Sequence, residues 1–249
     1  MISLKNITKK FDGQYVLNEL SLTLEKGKCN VIIGESGSGK TVLMKSIVGL
    51  MDVDEGEIWY DTQNFTVMGT REKQELRKNM GMLFQGAALF DSLTIEENVM
   101  FPLNMFTNDT YKEKLNRVNF CLDRVALKNV NSLLPAELSG GMRKRAAIAR
   151  AISLSPDYLF CDEPNSGLDP KTAIRIDNLI RDITKEYEIT TVVNSHDMNS
   201  VLEIGDKVIY IYNGCKCWEG TKEEVLHSNN EALNSFVFAT RMAQQIKLS

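Results

Sequence analysis

Two kinds of apolar pattern run along this chain. In MISLKNITKKF, Ile2, Leu4 and Ile7 fall in near-alternation with polar residues, the period of a strand with one face buried. VLNELSLTLEKGKCNVII continues in extended form with a turn at Lys26-Gly27, and GEIWYD follows an Asp-Glu-Gly turn. Toward the other end, KVIYIYNGCKCWEG predicts a hairpin, because Asn213-Gly214 suits a type I′ turn. The second pattern is continuous. NVIIG, MGMLFQ, DYLFCDE and ITTVVNSHD are short apolar runs that end in polar residues, as parallel strands buried on both faces do. Helical periodicity in KTVLMKSIVGLM and KTAIRIDNLIRDITKEY lies between such runs, so the order is βα repeated and the predicted class is α/β.

Residues 87–155 read as a helical insertion into that core, through TIEENVMFPLNMF, YKEKLNRVNFCLDRVAL and LSGGMRKRAAIARAI. Residues 228–249 form an amphipathic helical tail, and no internal repeat or low-complexity tract breaks the chain, so residues 1–249 are expected to form a single domain.

Composition changes this picture little. The 249 residues can bury a sizeable core, and 43% hydrophobic with 25% charged content is that of an ordinary globular protein. With 29 basic against 33 acidic residues the net charge is −4, which gives no support to nucleic-acid binding. No apolar run approaches the roughly 18 residues of a membrane span, and MISLKNITKK lacks the core of a secretory signal. The chain is therefore expected in the cytoplasm. The five cysteines are scattered; Cys215 and Cys217 share one face of a strand, without a second pair to complete a zinc site.

Chemistry enters with GESGSGKT, residues 34–41, which fits the P-loop pattern between a strand and a helix. Gly34, Glu35, Ser36, Gly37, Ser38 and Gly39 supply a wrapping turn whose N–H groups face phosphate. Lys40 reaches the β- and γ-phosphates, and Thr41 offers a hydroxyl to Mg²⁺. YLFCDE delivers Asp162 and Glu163 at a strand's carboxyl end, where α/β sheets bind ligands. Asp162 suits Mg²⁺ through a water, and Glu163 is the candidate general base. Gln85 and His196 end two further runs at the same edge. The first can ligate Mg²⁺ or position water; the second can donate to a γ-phosphate.

A second glycine-rich helix start, LSGGMRKR, holds Ser139, Gly140 and Gly141 and is followed by three cations that oppose the helix dipole. One P-loop suffices for one nucleotide in cis. In a two-fold dimer, a second anion-binding turn can close a partner's nucleotide, since each isologous contact occurs twice.

That arrangement resembles the ATP-binding cassette (ABC) ATPases over nearly the full chain, with motifs in family order. Phe11 in KKF matches the aromatic that stacks on adenine. GESGSGKT matches Walker A, Gln85 the Q-loop, LSGGM the signature, YLFCDE Walker B, SGLD with Asp169 the D-loop, and His196 the switch histidine. The resemblance implies a P-loop NTPase fold with a RecA-like parallel-sheet core, an antiparallel β subdomain formed by strands from both ends, and a helical subdomain. It implies ATP hydrolysis with Mg²⁺, held by Thr41, Gln85 and Asp162, at two composite sites of a homodimer. Glu163, His196, Gln85 and Lys40 are the expected catalytic residues. Met142 stands where the signature commonly has glutamine, and Asn165 where threonine is frequent. Within the family, MLFQGAALFDSLTIEENVMFPL and ELSGGMRKRAAIARAI are most similar to the Mla/Mkl group of phospholipid-transport ATPases. This implies an integral-membrane permease and an MCE-domain lipid-binding protein as partners, at the cytoplasmic face of the inner membrane. A soluble ABC protein would carry two cassettes or coiled-coil arms, and a P-loop kinase has no use for the second glycine turn.

Overall fold

The computed structural model describes residues 1–238. In chain order it contains β1 (Ile2–Phe11), β2 (Gln14–Leu24), β3 (Cys29–Ile33), α1 (Lys40–Ile47), β4 (Glu55–Tyr60), β5 (Gln63–Asn64), α2 (Thr70–Lys78) and β6 (Met80–Leu83). The insertion follows as α3 (Ile95–Phe106), α4 (Tyr111–Arg124) and α5 (Gly140–Ala151). The chain continues through β7 (Tyr158–Asp162), α6 (Pro170–Glu186), β8 (Thr190–Ser195), α7 (Met198–Ile204), β9 (Lys207–Tyr212), β10 (Cys215–Gly220), α8 (Lys222–Leu226) and α9 (Glu231–Val237). Residues 239–249, the rest of the expected tail, lie outside the described residues.

The strands form two sheets. One is antiparallel, in the order β2-β1-β4-β5; the other runs β10-β9-β3-β8-β7-β6. Within the second, β3, β6, β7, β8 and β9 are parallel and β10 is antiparallel to β9. The two faces of this sheet feed two separate cores. Val31, Ile33, Leu159, Cys161 and Val193 pack against the insertion, α6 and α7. Ile32, Phe160, Val192, Ile209 and Ile211 pack against α1 and the antiparallel sheet. Burial on both faces is why these strands are continuously apolar.

The structure departs from the sequence reading at three points. The C-terminal hairpin does not join the antiparallel sheet: β9 lies parallel to β3 in the core sheet. Its run Val208, Ile209, Tyr210, Ile211 is buried throughout, a continuous pattern of the core type. Asn213 and Gly214 at φ 48° and 75° do make the expected two-residue turn. Helix α2, TREKQELRK, has no apolar period to read, because Leu76 is its one apolar residue and is only partly buried. The bulge between Lys216 and Trp218 breaks the alternation of β10. Cys215 Sγ turns to Asn18 O and Cys217 Sγ to Asn230 Oδ1, so the two thiols do not share a neighbourhood.

The insertion is anchored where α5 returns to the sheet. A Cβ on Gly81 of β6 would lie 2.4 Å from Ala151 O at the end of α5. Gly81→Ala is therefore expected to destabilise the protein by about 1–3 kcal/mol through overpacking, read as a lower urea midpoint with an unchanged slope.

Candidate functional site

The carboxyl ends of β3, β8, β7 and β6 meet at one edge, beside an open cleft of about 1800 Å³. Gly34, Glu35, Ser36, Gly37, Gly39, Lys40, Thr41, Gln85, Glu163 and His196 all line it. The loop after β3 must wrap tightly here. A Cβ on Gly34 would lie 2.3 Å from Ile211 O and 2.7 Å from Ser38 Oγ, so only glycine fits. Helix α1 then starts without a side-chain cap, leaving its first N–H groups free for an anion. By contrast Thr94, Thr110, Ser139 and Asp169 cap α3, α4, α5 and α6.

Lys40 is 8% exposed, and its Nζ donates to Gly34 O and Glu35 O, both at 2.8 Å. Burial pushes the Lys40 ammonium below the usual lysine range, against the opposing pull of Glu163 and Asp162. The loop fits a polyphosphate by a further sign: Ser38 Oγ is buried with no partner. The oxygens of Thr41, Gln85 and Asp162 are the hard donors Mg²⁺ takes. Asp162 Oδ1 accepts from Asn194 Nδ2 at 3.0 Å, and the same amide donates to Lys40 O at 3.2 Å. Asn194 thus orients the carboxylate against the start of α1, a role hidden in sequence within the apolar run of β8.

Glu163 leaves β7 in a left-handed conformation, φ 49°. Its Oε2 lies 2.7 Å from His196 Nδ1, so the candidate base and the histidine contact each other directly. Gln85 Nε2 donates to Ser166 Oγ at 3.2 Å, which joins the segment after β6 to the loop after β7.

Other expected site residues lie elsewhere. Phe11 sits at the end of β1, 42% exposed, with the Lys9 ammonium 5.6 Å from its ring centroid; it is not among the residues lining the cleft. Ser139 accepts from Met142 N at 3.3 Å as the cap of α5. The Met142 side chain packs on the larger core. Gly141 is pressed to α6, where a Cβ would meet Thr172 Cγ2 at 2.5 Å. Asp169 caps α6, with Thr172 Oγ1 donating to it at 2.6 Å; that bond holds its carboxyl below the usual range. Residues 139–142 and Asp169 therefore do not line the cleft that holds this chain's own P-loop.

Residues 17–166 match the ABC transporter family. The chain belongs to that family. It is 40% identical over 239 residues to the intermembrane phospholipid transport system ATP-binding protein MlaF of Haemophilus influenzae, covering 95% of this chain and 90% of that one. It is 35% identical to the methionine import ATP-binding protein MetN of Clostridioides difficile, covering 95% of this chain and 74% of the relative. Among solved structures it resembles a dimeric ATP-binding cassette in a post-hydrolysis state bound to ADP and Pi, with TM-score 0.81, 31% identity, and 89% and 99% of the two chains covered. The chain is an ABC transporter ATPase subunit, and the α/β cassette fold expected from its sequence is the one observed.

One buried acid beside the site was not anticipated. Asp177 on α6 is 2% exposed, and its neighbours are Asn165 of the loop after β7 and Ser200 of α7. Asn165 Nδ2 donates to Ser200 Oγ at 2.8 Å. Burial pushes the Asp177 carboxyl up to about 6, helped by Asp197 and Glu203 and opposed by Asn165 and Ser200. The folded state therefore holds this proton more tightly than the unfolded chain. Its stabilising contribution is complete below about pH 4 and is lost as pH rises through about 6. Asp177→Asn, neutral at every pH, is expected to match the parent near about pH 4 and to exceed it by roughly 2–3 kcal/mol near about pH 8. Urea unfolding across that range measures the difference.

Proposed function

We propose that this chain is the motor of a phospholipid transporter that moves lipid between inner and outer membranes. It works as a homodimer beneath an integral-membrane permease, on the cytoplasmic face of the inner membrane, with an MCE-domain lipid-binding protein as a further partner. The observation that carries this reading is the 40% identity to MlaF over 95% of the chain. A second reading, import of an amino acid, is favoured by the 35% identity to MetN over the same share of the chain. No helix among the described residues is long and apolar enough to cross a membrane, which agrees with a separate permease.

In this reading the P-loop and Lys40 hold the phosphates of ATP, and Phe11, which lies outside the lining of the cleft, is the aromatic the family resemblance assigns to the adenine. Thr41, Gln85 and Asp162 would hold Mg²⁺, which would neutralise phosphate charge. Glu163 takes the proton of the attacking water, and His196, in contact with it, steadies the carboxylate and reaches toward the γ-phosphate. Residues 139–142 and Asp169, which do not line this cleft, close the nucleotide of the partner protomer. The face beside Gln85 receives the permease. Phe84, Phe90, Phe101, Pro102 and Phe106 line a groove there, and Phe90, 43% exposed, packs on Phe101 with ring centroids 4.8 Å apart. A short amphipathic helix fits such a groove.

Glu163→Gln is expected to bind ATP with the parent affinity and to lose about 10²–10⁴-fold in turnover; vigorous hydrolysis by this variant would reject Glu163 as the base. The cargo is tested by native purification from gently solubilised membranes, with mass spectrometry of co-purifying proteins and extracted lipid. A multi-span permease with an MCE-domain protein and enriched phospholipid is the expected result. A permease with a solute-binding protein and no lipid enrichment would replace the phospholipid reading by the solute-import one.

A further inference from the structure

The three cations after the second glycine turn have separate fates. Arg143 Nη1 donates to Leu138 O at 2.8 Å, and Arg145 Nη1 to Ala126 O at 2.7 Å. Both stay close to their own subdomain. Lys144 does not: it is 5% exposed and crosses to the edge of the sheet. Its Nζ donates to Gln85 O, and lies 3.5 Å from Glu163 O. These two carbonyls follow the ends of β6 and β7, which are neighbours in the sheet.

A buried ammonium is an expensive way to fill space, since an apolar side chain of the same volume would stabilise at least as well. What the ammonium adds is donors, three on one atom. The segments it meets are ones whose backbone needs holding. Glu163 is left-handed, and after Gln85 so are Ala87 and Ala88, at φ 65° and 51°. Such residues persist only where the surroundings over-determine them. Here the Glu163 carbonyl also accepts from Ser166 N at 3.2 Å, and Glu163 N donates to Asn194 O at 3.0 Å. Arg150, further along α5, donates to Ala87 O at 3.0 Å and Ala88 O at 2.7 Å. One helix therefore grips both segments, and among the described residues Lys144 is the side chain of α5 that meets both of them.

We propose that Lys144 is a positioning residue for ATP hydrolysis, fixing the main chain at Gln85 and Glu163 together and tying both to the helix that begins with Ser139, Gly140 and Gly141. Neither Gln85 nor Glu163 can then shift without α5. Where residues 139–141 close a partner's nucleotide, as proposed above, the lysine links that site to the chain's own. The positioning role itself rests on the contacts within one protomer and on the roles proposed above for Gln85 and Glu163.

The test is steady-state ATPase with Lys144→Met, Lys144→Arg and Glu163→Gln of the full chain, beside ATP binding measured with a fluorescent nucleotide. Lys144→Met is expected to lower kcat by about ten-fold or more, with the Kd for ATP held within about three-fold because the P-loop is untouched. Lys144→Arg, which keeps donors and charge, is expected to recover most of the lost kcat. A folded Lys144→Met enzyme with the parent kcat would overturn the proposal. So would an arginine variant as inactive as the methionine one, or a kcat loss matched by an equal loss of ATP affinity. If Lys144→Met does not fold, Lys144→Gln, which keeps amide donors at shorter reach, is expected to lose kcat at unchanged ATP affinity; parent turnover there overturns the proposal equally. An inactive Glu163→Gln beside a fully active Lys144→Met would reject the lysine's role and leave the assigned base standing.

Discussion

Everything at the site follows from the burial of the core sheet on both faces. Val31 and Ile33 of β3 face one core while Ile32 faces the other, and β7 and β8 divide in the same way. A charged side chain in the middle of such a strand would have no water on either side. Polar groups emerge where the strands stop. Because β3, β6, β7 and β8 are parallel, they stop at one edge. The P-loop, Gln85, Asp162, Glu163 and His196 are thereby gathered from residues more than a hundred positions apart.

Gathering them strains the chain. Lys40 is desolvated, Glu163, Ala87 and Ala88 hold left-handed backbone, and Ser38 Oγ lacks a partner. The neighbouring elements supply what holds these features. Asn194 orients Asp162, Ser166 and Asn194 secure the backbone of Glu163, and α5 grips the loop after β6 through Lys144 and Arg150. Strain at a reactive edge with rigid support behind it is the usual division between a site and its scaffold.

The insertion is more than a lid on this edge. Its last helix returns along β6, close enough that Gly81 has no room for a side chain. The same helix begins with the glycine turn and meets α6 at Thr172. The apolar groove at Phe84, Phe90 and Phe101 lies against its far end, where Arg150 sits 6.0 Å from the Phe90 ring. The groove, the loop at Gln85 and the glycine turn thus all lie against one helix, α5.

The sequence by itself was enough for the class of fold, for the P-loop and for the acids and histidine at strand ends. Those features are local: a glycine spacing, a run of apolar residues, a polar residue where the run ends. It was enough too for the turn at Asn213-Gly214, whose backbone is dictated by its own two residues. Pairing partners are not local. Only the tertiary structure decided that β9 lies beside β3 and that the thiols of Cys215 and Cys217 part company at a bulge. Helix α2 was invisible for the opposite reason, since a helix whose one apolar residue, Leu76, is only partly buried writes no period into its residues. Nothing in the local sequence marks out the lysine on α5, the asparagine on β8 or the buried Asp177. Their meaning depends on what stands opposite them, and that is settled by packing between distant segments.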